Sequence, residues 1–252
     1  NLTTKEFDPI LMLDSFDSIN PDDYTAGFPM HPHRGIETIS YVSRGKMVHR
    51  DSLGNEAGIS DGEVQWMNSG SGIMHEEMVP AAERLLGVQL WLNLPAKDKM
   101  SKPSYNSIKN EDIKEIEIEG GKIRLLAGKY GEHEGYKGDY LSMDYYDIHL
   151  NADAEVTLTM EEDDSVMVFT LLGDVYIDGE HIEEKTAVKL TEGDSLTIKN
   201  GNEKAQVLYM NSRALNEPVA WAGPIVMNTQ EELQKAFLEL RSNTFIKETA
   251  EY

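Results

Sequence analysis

The chain has 252 residues, no cysteine, and 45 acidic against 23 basic side chains, a formal charge of −22 with histidine neutral. Without cysteine there is no disulfide framework, thiolate metal site or cysteine nucleophile, so a transition metal would have to be held by histidine and carboxylate. The charge argues against direct contact with nucleic acid or an anionic membrane, and no stretch nears the roughly 20 apolar residues of a membrane helix.

In chain order, Asn1–Ile10 is polar and shows no secretory apolar core. His31-Pro32-His33 sets two imidazoles two residues apart, which on a strand point to one face. Ile36–Val42 reads as a strand, followed by turns at Leu53-Gly54-Asn55 and Asp61-Gly62 and a strand over Val64–Met67. His75-Glu76-Glu77 repeats the dyad geometry with one imidazole and one carboxylate. In Val88–Leu94, apolar residues alternate with Gln89, Trp91 and Asn93, as in a two-faced strand. A polar stretch over Ala96–Asn106 reads as a linker.

Beyond it, Val156–Met160, Val166–Leu172 and Val207–Met210 read as strands between glycine turns at Asp178-Gly179, Glu192-Gly193-Asp194 and Asn200-Gly201. Thr229 with Glu232 forms a capping box, and Leu233, Ala236, Phe237 and Leu240 make the apolar stripe of a helix. The segments following Ser40–Gly45 and Phe169–Gly173 are weakly alike, which predicts two tandem β units. The expected fold is all-β, two tandem antiparallel barrels with a short C-terminal helix. The first spans 1–100 with a linker to about 106; the second spans 107–252 and includes the helix over about 229–241.

Facing each other across a barrel interior, the two dyads would offer three nitrogens and one oxygen. That donor set suits Fe, Mn, Ni, Cu or Zn and leaves a coordination position open, as catalytic sites require. Parity leaves two carboxylates in contention: Glu37 shares a face with His33, and Glu77 with His75, while Glu76 points away. His49, His133, His149 and His181 read as ordinary surface or satisfied core residues.

Gly27-Phe28-Pro29-Met30-His31-Pro32-His33-Arg34-Gly35-Ile36-Glu37-Thr38 resembles the signature of the pirin family within the cupin superfamily. So do Gln65-Trp66-Met67, Gly72–Met78, Gln89–Pro95 and Glu217–Thr229, so that the likeness runs from about residue 27 to 240. Against the general cupin pattern, only three residues separate Gly27 from His31, and Asn68–Gly72 carries extra residues. The resemblance implies a bicupin of jelly-roll type with metal only in the first barrel, held by His31, His33, His75 and Glu77. It implies one divalent transition metal per chain, with Fe(2+) favoured and Mn, Ni, Co, Cu or Zn as alternatives.

The activity implied is quercetin 2,3-dioxygenase chemistry, in which O2 opens the heterocycle of a flavonol or similar aromatic enol and carbon monoxide is released. Glu77 would take the substrate proton, and Phe28, Trp66, Met67 and Met74 would wall the pocket. The alternative is a metal- or redox-sensing regulatory protein acting on a transcription factor or metabolic enzyme. The expected location is cytoplasmic, with a nuclear pool as the alternative in a eukaryote.

Overall fold

The computed structural model describes residues 3–248. The chain divides into two compact units. One comprises Ile10–Lys109 with the described part of Leu215–Tyr252; the other comprises Asn110–Ala214 with the described part of Leu2–Pro9.

After the single turn α1 (Thr3–Glu6), the first unit runs through β1 (Ile10–Ser18), β2 (Phe28–His33), β3 (Ile36–Arg44), β4 (Lys46–Asp51), β5 (Glu56–Ser60), β6 (Glu63–Asn68), β7 (Ile73–Met78), β8 (Leu85–Asn93) and β9 (Ser104–Ile108). A five-stranded sheet in the order β1-β8-β3-β6-β9 and a four-stranded sheet in the order β2-β7-β4-β5 result. Their pairings are antiparallel. Register sorts the five-stranded sheet into two faces. Ser40 lies opposite both Gln65 and Gln89, and Thr38 opposite both Met67 and Trp91, so these six side chains share one face; Glu37, Ile39 and Trp66 take the other.

The second unit contains β10 (Lys114–Ile118), β11 (Gly121–Ala127), the short hairpin β12 (Lys129–Tyr130) and β13 (His133–Glu134), β14 (Met143–Leu150), β15 (Glu155–Thr159), β16 (Asp164–Leu172), β17 (Val175–Ile177), β18 (Glu180–Ile182), β19 (Ala187–Lys189), β20 (Ser195–Asn200) and β21 (Ala205–Arg213). Its sheets run β10-β11-β14-β21-β16-β19 and β15-β20-β17-β18. Ile123, Ile148, Val168, Val175, Ile198 and Val207 belong to its closed apolar core. Where the first unit has its histidines, this one is packed with branched aliphatic side chains.

The chain then closes with β22 (Ala220–Ala222), β23 (Ile225–Met227) and α2 (Gln230–Arg241). The Thr229/Glu232 capping box is present, and Leu233 and Ala236 are the helix's buried residues. The sequence reading placed this helix with the second barrel. Instead α2 packs on β22 and β23, in one cluster with Ala220, Ile225, Met227 and Phe245, and the segment counts with the first unit. The reason is Arg34. Fully buried, it donates to the carbonyls of Ser71 (2.7 Å) and Phe245 (2.9 Å), pairs with Glu239 (2.8 Å) and lies over the Phe245 ring. A parallel bridge joins Arg34 to Ile225, and a Cβ on the neighbouring Gly35 would collide with the Val226 carbonyl. No periodicity argument sees a clamp made by one arginine two hundred residues upstream.

Lys99 braces the same loop from the other side. It is buried, donating to the Gly35 carbonyl (2.7 Å) and to Asn93 Oδ1. Burial pushes its pKa down to about 7 against the opposing pull of Glu217 and Glu232.

Two outcomes follow. Arg34→Met should cost roughly 3 kcal/mol in urea unfolding, because it leaves two carbonyls without their donor and Glu239 with Lys247 as its remaining cation; a loss under about 0.5 kcal/mol would contradict the clamp. For Lys99, the unfolded chain holds a proton between about pH 7 and 10.5 that the folded chain has released. Its contribution to stability therefore rises with pH across that window. The urea midpoint should climb less steeply over this range in Lys99→Met than in the wild type, and equal slopes would refute the assignment.

Candidate metal centre

His31 and His33 lie on β2, His75 and Glu77 on β7, and the register pairs His31 with His75 and Phe28 with Glu77 across a bulge. Gly27 permits the approach: its φ is +61°, and a Cβ there would collide with the Glu77 carbonyl. The alternation of β7 is clean, with Ile73, His75 and Glu77 buried and Met74, Glu76 and Met78 less so.

The three imidazoles converge, their ligand nitrogens all within 4.8 Å of one another. His31 Nε2 and His33 Nε2 are 3.0 Å apart. Their other ring nitrogens face carbonyl oxygens, His31 Nδ1 at 2.8 Å from Pro29 O and His33 Nδ1 at 3.2 Å from Pro224 O. A carbonyl only accepts, so both Nδ1 atoms carry hydrogen, and in the neutral rings both Nε2 atoms present lone pairs. Two lone pairs at that separation repel unless a positive charge lies between them. Burial, then the neighbouring His31, pushes the His33 pKa down to about 3, which disfavours a proton there. The pKa of His75 is pushed down further by burial and by His33 and His31.

A metal fits what remains. The Nε2 atom of His75 is buried and has no hydrogen-bond partner among the described residues. Two nitrogens bound at right angles to one ion, each at about 2.1 Å, would be about 3 Å apart, the separation found between His31 and His33. Donor chemistry and geometry therefore agree on His31, His33 and His75.

Glu77 stands apart from this trio. It is buried on the same face of β7, and its carboxylate is occupied by the five-stranded sheet: Gln65 Nε2 donates to Oε1, and Gln89 Nε2 lies 3.0 Å from Oε2. Ser40 Oγ accepts from both glutamines, at 3.3 and 2.9 Å. Burial pushes the Glu77 pKa up, offset in part by the Gln89 hydrogen bond. The competing carboxylate, Glu37, occupies the opposite face of its sheet, where Trp66 Nε1 donates to it at 3.0 Å.

The pocket candidates separate in the same way. Phe28 is 43 % exposed and registers with Glu77, and Met67 shares the face of Gln65. Trp66 turns to the far face with Glu37, and Met74 alternates away from His75; a one-residue offset moves a strand side chain across the sheet. The sequence reading passed over Trp91, whose ring stands edge-on to His33 at 5.1 Å, and the pair Gln65 and Gln89. Alternation in β8 did mark Gln89 and Trp91 as one face. His49 is not an ordinary core histidine either: fully buried, its Nδ1 lies 3.3 Å from His75 Nδ1.

The matching family models are Pirin over residues 1–92 and the pirin C-terminal cupin domain over residues 145–246. A Pseudomonas aeruginosa protein, provisionally named a quercetin 2,3-dioxygenase, is 38% identical over 247 residues, covering 94% of this chain and 86% of that one. Human pirin is 36% identical over 248 residues, covering 94% and 83%. A solved quercetin 2,3-dioxygenase from Acinetobacter baumannii superposes with a TM-score of 0.88 at 32% identity, covering 96% of this chain and 88% of that one.

The trio makes a stoichiometric prediction. Wild-type protein dialysed against iron(II) without oxygen should retain one ion per chain by plasma mass spectrometry, and His31→Ala and His75→Ala should retain almost none while keeping their circular dichroism. One equivalent retained by His75→Ala would contradict the site.

Proposed function

The chain belongs to the pirin family of bicupins, and on that premise we propose that it is a metal-dependent dioxygenase opening the heterocycle of a flavonol, or a similar aromatic enol, with release of carbon monoxide. The observation that carries this reading is the convergence of three imidazoles, two of them buried and His31 half-buried, beside a buried carboxylate that registers with the partly exposed Phe28. We take iron(II) as the resident ion, since imidazole and carboxylate without thiolate is a donor set common to oxygen-using iron. Bound there, the ion would acidify a substrate hydroxyl and provide a redox partner for O2.

The protein supplies the rest. Glu77 is the base: it takes the hydroxyl proton on a carboxylate oxygen and keeps it in a site where burial favours the protonated form. Gln65 and Gln89 hold that carboxylate in place and, being amides, do not compete for the proton. Loosening from the glutamines would let Glu77 turn towards the histidines as a fourth ligand. Phe28 at the rim and the edge of Trp91 beside His33 offer flat apolar surface to an aromatic substrate.

The test is an anaerobically iron-loaded preparation given a flavonol and then O2, followed by oxygen electrode, flavonol absorbance and carbon monoxide capture. Stoichiometric loss of O2 and flavonol with carbon monoxide formed is expected. Glu77→Gln should lower turnover by about 100-fold or more while retaining metal. No turnover across a flavonol panel with Fe, Mn, Ni, Co and Cu would overturn the enzyme reading in favour of a regulatory binding protein.

A further inference from the structure

We propose that His49 and Asp51, whose side chains are both fully buried, are positioning residues that hold His75 in the one tautomer able to offer Nε2 to a metal. The inference rests on the metal reading above.

Strand pairing sets the two residues beside the site, with His49 opposite Glu77 and Asp51 opposite His75. Asp51 is held from four directions. Oδ1 accepts from the backbone N–H groups of Leu53 (2.9 Å) and Asn55 (3.1 Å), and Oδ2 accepts from Asn55 Nδ2 (2.9 Å) and His49 Nε2 (2.8 Å). A carboxylate only accepts, so His49 carries its hydrogen on Nε2. In a ring with one proton, Nδ1 is then a lone pair, and it faces His75 Nδ1 at 3.3 Å. Only one arrangement makes that contact favourable: His75 donates from Nδ1 and keeps Nε2 bare. That bare atom is the one left buried and unpartnered beside His31 and His33. The chain from Asp51 to His49 to His75 thus does for the third ligand what the Pro29 and Pro224 carbonyls do for the other two.

His49 also stacks on Tyr105, with centroids 4.1 Å apart and planes 14° from parallel, so packing alone would account for an aromatic ring at this position. Substitutions separate the two roles. His49→Phe keeps the stack and removes the acceptor. His49→Gln restores an acceptor towards His75 and a donor towards Asp51. Asp51→Asn reverses the relay. Its oxygen stays with the two fixed backbone N–H groups, because Asn55 can turn its amide oxygen towards the new NH2 group, whose second hydrogen then faces His49 Nε2. The hydrogen of His49 moves to Nδ1, that of His75 moves to Nε2, and a hydrogen then occupies the ligand position.

The experiment uses the full chain, metal-free and intact, with long-range 15N–1H NMR on the His75 ring, followed by anaerobic iron(II) titration against a competing chelator. In the wild type His75 should be the Nδ1–H tautomer, and in Asp51→Asn the Nε2–H tautomer. Iron affinity should fall by about 10- to 100-fold in Asp51→Asn and His49→Phe, and His49→Gln should recover most of it. Thermal unfolding of the metal-free variants identifies any that misfold, and Asp51→Asn carries the comparison if His49→Phe does. An Nε2–H tautomer in the wild type, or equal affinities throughout, would overturn the proposal. Wild-type protein that binds no iron would overturn the metal reading, while the NMR still judges the tautomer.

Discussion

Two ring nitrogens bearing lone pairs do not rest 3.0 Å apart inside a barrel without something positive between them. The rest of the site follows from that constraint. The lone pairs meet because carbonyls fix the opposite nitrogens, and one of those carbonyls, Pro224, belongs to the closing segment of the chain. The segment is held by Arg34, the residue next to His33, so the clamp that secures the C-terminal helix also holds the carbonyl that His33 Nδ1 faces. Stability and chemistry are joined at one dipeptide. A buried arginine with an ion pair, two carbonyls and an aromatic ring is a costly element, and it stands next to His33 in the chain.

The carboxylate is handled separately. Gln65 and Gln89 come from β6 and β8, on the sheet opposite the histidines, and both bind Glu77. This divides the work between two sheets. The four-stranded sheet presents imidazole nitrogens, and the five-stranded sheet steadies a carboxylate whose pKa burial raises. A group held in that way is suited to receiving a proton. The second unit carries the same repeated strand plan with an aliphatic interior, so the fold supports the site without dictating it.

The sequence made part of this legible. His-x-His and His-x-Glu on strands fix relative facing by parity alone, and strands β3, β6, β8, β15, β16 and β21 were all announced by their β-branched and aromatic runs. The capping box gave the helix its start at Thr229. Parity within one strand says nothing of which face meets which across sheets, so Glu37 and Glu77 are equal on the residues alone, and nothing local tells that Trp66 lies on the face of Glu37 and Met74 on the face of β7 away from His75. Gln65, Gln89, Trp91 and His49 reach the site through register between distant strands, which leaves no local signature. The return of residues 215–248 to the first unit is likewise a matter of topology rather than pattern.

His31, His33 and His75 converge as three nitrogen donors that could hold one cation. X-ray absorption at the iron K-edge of the anaerobically loaded protein tests it most directly, because imidazole rings give a distinctive multiple-scattering signal. Three imidazoles bound at about 2.1 Å are expected, with the signal reduced to two in any His75→Ala protein that can be loaded at all. A first shell of oxygen atoms with fewer than three imidazoles in the wild type would contradict it.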